Sequence, residues 1–122
     1  MDEKPVILVV DDDVPILILM QSLLREFGFE PVTAASGNDA VELARGRRPS
    51  LVLLDKHMPG MNGQDVIRAL RDDVGLAQLP ILILSGEPVT KQELGTLRAD
   101  GAVLKPFDVM ALVKQIREHL AM

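Results

Sequence analysis

Short, unbroken apolar runs alternate along the chain with segments in which apolar residues recur every three to four positions. The runs are "VILVV" (6–10), "LVLL" (51–54), "ILIL" (81–84), "AVL" (102–104) and a weaker "PVTA" (31–34). Continuous runs of this length are typical of strands covered on both faces in a parallel sheet. We predict five strands, with the three most apolar in the centre and those at 31–34 and 102–104 at the edges.

The first helix is predicted over 14–27, with Gly28 as its stop signal and Pro15 tolerated in the first turn. Helical spacing assigns its core face to Ile16, Leu19, Met20, Leu23, Leu24 and Phe27. In this register the apolar neighbours Leu17 and Ile18 are expected to be exposed, close to the end of the first strand.

Three more helices are predicted over 36–46, 63–73 and 108–120. Before the last of these, Thr90 and Glu93 match a capping box, which predicts a further helix that Gly95 in its interior weakens. The predicted core face of the last helix consists of Val109, Leu112, Val113, Ile116 and Leu120. Strand and helix therefore alternate five times, which predicts a doubly wound α/β domain with right-handed crossovers.

The totals limit the class of protein. The 122 residues fit a single domain spanning 1–122, and 48% apolar residues suffice for a core. The absence of cysteine excludes disulfides and thiolate metal sites and agrees with a cytoplasmic location, while the first apolar run is too short for a membrane span. A net charge of −5 with no Trp or Tyr disfavours direct contact with nucleic acid or membrane.

Four of the predicted strands are followed by residues with chemical potential. In an α/β sheet of this kind, ligands bind outside the carboxyl ends of the strands. The residues expected to meet at this edge are Asp11, Asp12 and Asp13 after the first strand, Asp55 after the third, Ser85 after the fourth and Lys105 after the fifth.

Clustered carboxylates without nearby His or Cys side chains favour Mg²⁺, or Mn²⁺, over zinc or copper. Such an ion binds phosphate oxygens, and a hydroxyl with a lysine supplies donors to the same oxyanion. Asp55 is then a candidate nucleophile for a phosphoryl group. No glycine-rich phosphate loop is present, so a nucleotide is not the expected donor.

The motifs "VVDDD", "LVLLDKHMPGMNG", "ILILSG" and "GAVLKPF" resemble, in order and spacing, the receiver domain of two-component response regulators. The resemblance runs from about Pro5 to Leu120. It implies a flavodoxin-like (βα)5 three-layer sandwich with sheet order 2-1-3-4-5, as in the chemotaxis receivers. It also implies that Asp55 accepts a phosphoryl group from a phosphohistidine of a sensor histidine kinase or histidine phosphotransfer protein. The domain would be a bacterial signalling switch that catalyses only its own phosphorylation and dephosphorylation.

The resemblance assigns roles to individual residues of the metal site. Asp12, Asp55 and the backbone carbonyl of His57 would bind Mg²⁺ directly, and Asp11 would act mainly through a bound water.

Other positions would contact or influence the phosphoryl group. Ser85 would hydrogen-bond to it and move inward upon phosphorylation, and Lys105 would pair with it. The bond from Lys105 to Pro106 is expected to be cis. His57 and Glu87, each two residues beyond a site residue, would tune the lifetime of the phosphoryl group by admitting or obstructing water.

Two features depart from the family pattern. Where many receivers carry a switching aromatic residue, this chain has Ala102, so we expect the signal to travel through Ser85, Gly86 and the weak fourth helix. The adjacent Leu17 and Ile18 stand where receivers mostly carry charge. Their predicted exposure suggests docking of a histidine-bearing helical bundle or a second receiver, against the alternative of incidental exposed aliphatics.

Alternative classes fit less well. A phosphatase with an aspartate nucleophile needs a second acid at the position of His57, and a flavodoxin-like redox domain needs aromatic residues to enclose its flavin. An unphosphorylated scaffold would not need the complete set of reactive residues. The sequence leaves open the cognate kinase, the phosphoryl lifetime, a homodimer through the 89–120 face, and whether an output domain belongs to the same protein.

Overall fold

The computed structural model describes residues 3–121, in which strands and helices alternate along the chain. The strands are β1 (Val6–Val10), β2 (Glu30–Ala34), β3 (Leu51–Asp55), β4 (Ile81–Ser85) and β5 (Gly101–Leu104). The helices are α1 (Val14–Glu26), α2 (Gly37–Arg47), α3 (Gly63–Asp72), α4 (Lys91–Leu97) and α5 (Val109–His119), and a 3₁₀ turn covers Val74–Leu76. The predicted elements are confirmed, with ends displaced by about a single residue.

All strand pairs are parallel, and the strand order is β2-β1-β3-β4-β5. β2 and β5 lie at the edges, as predicted. Leu8 of β1 is in register with Val32 on one side and Val52 on the other. The order implied by the resemblance and the flavodoxin-like fold are therefore confirmed.

Two apolar clusters cover the two faces of the sheet, because successive strand residues point to opposite faces. Leu8 and Val10 belong to the cluster covered by α2 and α3, whereas Ile7 and Val9 belong to the cluster covered by α1 and α5. The result is a three-layer sandwich in which the carboxyl ends of β1, β3, β4 and β5 share one edge.

The predicted register of α1 is wrong at two positions. Leu17 is 7% exposed and belongs to the core, whereas Leu19 is 57% exposed. Ile18 is 59% exposed, as expected. Since every position from 16 to 20 is apolar, spacing alone permits several buried arcs, and packing against the sheet selects the one centred on Leu17, Met20 and Leu24.

The ends of other helices also differ from expectation. Val109, predicted to be in the core face of α5, is 38% exposed because it occupies the first turn, beyond the sheet edge. The capping box predicted for α4 is present, with reciprocal hydrogen bonds between Thr90 and Glu93, yet α4 has only seven residues and none is buried. Among the described residues, no helix combines the length and apolar character needed to cross a bilayer.

Candidate functional site

β1 delivers two carboxylates to the sheet edge in different surroundings. Asp11 is 1% exposed, and its backbone N–H donates to the Ala34 carbonyl at 3.1 Å, which prolongs the β1–β2 pairing. One of its side-chain oxygens accepts a hydrogen bond from the Asp13 N–H at 2.9 Å. Asp12 is exposed. The run of acids therefore presents one buried carboxylate beside one that faces solvent.

Asp55 is the last residue of β3 and is buried. Gly63 opens α3 directly beside it: a Cβ atom at Gly63 would lie 2.9 Å from the Asp55 carbonyl oxygen, so only glycine permits this approach. The carboxylates of Asp11, Asp12 and Asp55 each offer an oxygen within 4.8 Å of the others. The structure thus brings together three of the four acids that the sequence placed at this edge, whereas the exposed Asp13 is not part of this group.

Lys105 connects the two buried carboxylates. Its ammonium donates to Asp11 Oδ2 at 2.9 Å and lies 3.4 Å from Asp55 Oδ1. Its backbone N–H donates to the Ser85 carbonyl at 2.7 Å, which fixes the residue at the end of β5 next to β4. The lysine predicted to pair with a phosphoryl group therefore lies between the acids that would flank that group.

Burial and charge shift two pKa values at this site. The pKa of Asp55 is raised from its ordinary 3.8, mainly by burial and then by the negative charge of Asp11, with the Lys105 ammonium opposing the rise. Burial alone would lower the pKa of Lys105, but its hydrogen bond and charge interactions with Asp11 and Asp55 outweigh that effect and raise it. Lys105 is therefore a permanent cation, whereas Asp55 is an unusually basic carboxylate.

The donor set fits a divalent cation. With all groups ionised, three carboxylates and one ammonium leave two net negative charges, which a divalent ion would neutralise. Carboxylate oxygens are the hard ligands that Mg²⁺ and Mn²⁺ prefer. The exposure of Asp12 leaves one side of the cluster open to solvent, where such an ion would keep its waters.

Ser85, the last residue of β4, is buried at the same edge, but its hydroxyl is engaged elsewhere. The hydroxyl donates to the Glu87 carbonyl at 2.7 Å and accepts from the Glu87 N–H at 3.1 Å. Gly86 between them is exposed, with open space where a Cβ would lie. The hydroxyl is thus close in sequence and topology to the acids but bound to its own loop.

The remaining predicted site residues lie around the mouth of the cluster. The side chains of His57 and Glu87 are both exposed, and their predicted influence on water access stays a prediction. Pro106 is exposed and follows Lys105 through a cis peptide bond, as the resemblance implied.

The exposed Leu19 and the half-buried Ile16 of α1 border a groove beside Lys105. Leu19 and Ile16 form one wall, and Pro106, Phe107 and Val109 form the other, around a volume of about 550 Å³. Leu17, one of the two predicted docking residues, is buried and takes no part. The exposed pair next to the site is Ile18 and Leu19.

One contact next to Asp55 could not be predicted from the sequence. The ammonium of Lys56 lies 3.1 Å from Glu93 Oε2, and the two residues are 37 positions apart. The capping box identified Glu93 as a helix start, but a lone lysine after a strand indicates nothing by itself.

Comparison with known proteins matches most of the chain to one family. The model of the response regulator receiver domain matches residues 7–117. The chain is 41% identical over 116 residues to the DNA-binding response regulator MtrA of Mycolicibacterium smegmatis, covering 93% of this chain and 50% of that protein. It thus spans about half the length of the curated relatives that it matches.

Solved structures show the same fold. The chemotaxis protein CheY4 of Vibrio cholerae superimposes with a TM-score of 0.90 at 31% identity, covering 95% of this chain and 98% of that one. The receiver domain of the sensor histidine kinase PA1611 of Pseudomonas aeruginosa, described with a magnesium ion in its active-site cleft, gives a TM-score of 0.89. At 21% identity, over 98% of this chain and 100% of the other, that similarity concerns the fold alone.

Proposed function

This chain belongs to the response regulator receiver domains, the signalling switches of two-component systems, and we propose that Asp55 accepts a phosphoryl group from a phosphohistidine of a partner protein. The observation that carries the proposal is the convergence of Asp11, Asp12 and Asp55 within 4.8 Å, with the Lys105 ammonium between the two buried acids. The domain so described, over residues 1–122, modifies only itself.

The transfer is a substitution at phosphorus. An Asp55 oxygen forms the new P–O bond while the P–N bond of the phosphohistidine breaks, and the imidazole nitrogen keeps the electron pair and takes a proton from water. Lys105 donates to the developing negative charge on the phosphoryl oxygens. The attack needs the ionised carboxylate, which the Lys105 ammonium favours against burial.

Asp12, Asp55 and the His57 carbonyl would hold Mg²⁺ directly, with Asp11 acting through a water. When bound, the ion would neutralise negative charge on the phosphoryl oxygens. The oxygen ligands that Asp11, Asp12 and Asp55 bring within 4.8 Å of one another support this choice of ion.

Ser85 and Gly86 respond to the modification. The Ser85 hydroxyl leaves the Glu87 backbone and hydrogen-bonds to a phosphoryl oxygen, which draws the loop after β4 toward Asp55. Ala102, half-buried against the cluster that also contacts Leu94 and Leu97 of α4, is too small to report this motion by changing rotamer. The signal therefore passes through the loop to α4, while His57 and Glu87 limit the access of water.

The partner that donates the phosphoryl group is a histidine kinase or histidine phosphotransfer protein. The exposed neighbours Ile18 and Leu19 replace the predicted pair Leu17 and Ile18 as its docking residues, and Leu19 lines the groove beside Lys105. The 89–120 face is left for a second copy of the chain.

The setting of the domain is also part of the proposal. We place it in the cytoplasm of a bacterium, without membrane contact. The expectation of no direct nucleic-acid contact is kept for residues 1–122 alone, because MtrA, of which this chain matches half, is named as DNA-binding.

Intact mass after incubation with Mg²⁺ and acetyl phosphate tests the proposal. One added phosphoryl group is expected on the parent chain and on Asp13→Asn, a matched control in the same acidic run. Asp55→Asn and a sample with chelator should show none. Should the parent show no adduct, beryllofluoride binding separates rapid self-hydrolysis, in which it binds, from an inert scaffold, in which it does not and the proposal fails.

A further inference from the structure

α4 is held in place by polar contacts at its two ends and not by burial. None of its seven residues is buried, and only Leu94 and Leu97 pack partly against the core cluster. A helix this short gains little stability from its own hydrogen bonds. Its position therefore depends on what fixes its ends.

The C-terminal end is fixed by a buried arginine. The side chain of Arg71 in α3 is 8% exposed. Its guanidinium donates to the carbonyls of Arg98 at 3.0 Å and Leu79 at 2.7 Å and to the Asp100 carboxylate at 3.1 Å. Several bonds from one rigid group make this end difficult to displace.

Within residues 3–121, the N-terminal end makes a single polar side-chain contact beyond its own cap, the pair between Lys56 and Glu93. The Lys56 ammonium lies 3.1 Å from Glu93 Oε2, and the pair lowers the pKa of Glu93. Glu93 Oε1 accepts the Thr90 N–H at 3.5 Å, so one carboxylate serves both the cap and the lysine. The Lys56 backbone is fixed to the sheet by its N–H, which donates to the Leu84 carbonyl at 3.0 Å.

Space is available for α4 to move. A cleft of about 340 Å³ separates the loop after β3 from the N-terminal part of α4, with Lys56 and Gln64 on one side and Thr90, Gln92 and Glu93 on the other. The N-terminal end of α4 can therefore shift relative to the loop after β3.

We propose that the Lys56–Glu93 pair holds the N-terminal end of α4 against the loop that follows Asp55, and that this pair opens when Ser85 and Gly86 are drawn toward a phosphoryl group. The second half of this statement rests on the proposed function. The loop 86–90 leads directly into α4, so its displacement acts first on Thr90 and Glu93, while Arg71 keeps the other end in place. Lys56 is thus a positioning residue, which couples the residue after the phosphoacceptor to the helix.

Amide exchange in residues 91–97 tests the first half on the unmodified protein. Glu93→Gln and Lys56→Gln each remove the ion pair, and Gln at position 93 can still complete the capping box. Each variant is expected to exchange about two- to five-fold faster in α4, the range for an exposed ion pair. The double variant should exchange no faster than either single variant.

Arg47→Gln is the matched control, since it removes the exposed pair with Glu30 at 3.4 Å, far from α4. It should leave exchange in 91–97 unchanged. If α4 exchanges faster in Glu93→Gln but not in Lys56→Gln, the effect comes from the cap and the proposal is overturned. Additive effects in the double variant would overturn it as well.

Beryllofluoride with Mg²⁺ tests the second half. Exchange in α4 of the parent chain should rise to the level of the two variants, whereas the variants should change little. If beryllofluoride binds and the difference in α4 exchange rate between parent and variants stays the same, the pair does not open. Fluorine NMR shows whether beryllofluoride binds at all. If it does not bind, the proposed function fails and so does the proposed opening of the pair. Amide exchange in the unmodified chain still decides whether the Lys56–Glu93 pair holds α4.

Discussion

Lys105 sets the charge of the site by lying between two buried acids. Burial penalises the ionised form of Asp55, and the Lys105 ammonium, which also contacts Asp11, opposes that penalty. One ammonium cannot balance three carboxylates, so the cluster keeps a net negative charge that attracts a divalent ion. The Lys105 side chain, which would stabilise the phosphoryl group, thus also reduces the electrostatic repulsion between the acids of the unmodified site.

Asp55→Asn is expected to raise the free energy of unfolding at about pH 7 in the absence of Mg²⁺. Because the pKa of Asp55 in the folded chain is raised above 3.8, its ionised form destabilises the fold. This destabilisation is absent below the unfolded-state pKa and complete above the folded-state pKa. The gain should therefore shrink as the pH falls toward about 4.

Urea unfolding at the two pH values measures this effect. Asp13→Asn, which changes an exposed acid whose side chain caps nothing, should show no such pH-dependent gain. A less stable Asp55→Asn variant at neutral pH would contradict the expectation.

Mg²⁺ is expected to stabilise the parent chain by about 2.7 kcal/mol at one hundred times its dissociation constant. Asp12→Asn should lose most of this stabilisation, because it removes a ligand from the exposed side of the cluster. The midpoint of thermal unfolding, with Mg²⁺ and with chelator, measures the difference. Asp13→Asn should keep the full shift, and equal loss in both variants would assign the effect to general charge.

At the scale of the element, α1 has a core side and a side beside the groove. Leu17→Ala is expected to cost about 2–4 kcal/mol, as for a buried leucine. Leu19→Ala should stay within about 0.5 kcal/mol, since its side chain is mostly exposed. Urea unfolding of the two variants compares them directly, and similar losses would place Leu19 in the core after all.

α4 offers a second test, through the glycine in its interior. A Cβ at Gly95 would meet no atom within 4 Å, so Gly95→Ala is expected to stabilise the helix by about 0.5–1 kcal/mol. Exchange in 91–97 should slow by about two- to five-fold. Gly46→Ala in α2, where a Cβ likewise meets open space, should leave exchange in α4 unchanged.

In the whole molecule, the site lies at the point of the sheet where the order of the strands reverses. β1 is flanked by β2 and β3, and the chain leaves this point toward both edges. Asp11 from β1 and Asp55 from β3 lie on the two sides of that point. Carboxylates from adjacent strands therefore meet at one edge with little help from the loops.

The two surfaces assigned to signalling lie on opposite faces of the sheet. The groove with Leu19 belongs to the layer of α1 and α5, whereas the Lys56–Glu93 pair belongs to the layer of α3 and α4. A phosphohistidine partner on the first face would leave the second free to respond. The site lies between them, at the carboxyl edge of the sheet.

The order of residues along the chain was enough to predict the class of fold and the residues that make up the site. Continuous apolar runs require strands covered on both faces, and strands of one direction must end at one edge, so Asp11, Asp55, Ser85 and Lys105 could be placed together without coordinates. Helix ends followed from local chemistry, as the cap at Thr90 shows. These features depend on the order of nearby residues, which a sequence states directly.

The tertiary structure decided what depends on packing between distant segments. The apolar stretch of α1 is wider than the arc that the sheet covers, so only contact with the sheet buries Leu17 and exposes Leu19. The Ser85 hydroxyl donates to the Glu87 carbonyl because of the conformation of the loop after β4. The Lys56–Glu93 pair joins residues 37 positions apart whose charges have many alternative partners. No local pattern encodes such choices, because each is settled by which side chains the folded chain brings within a few ångströms of one another.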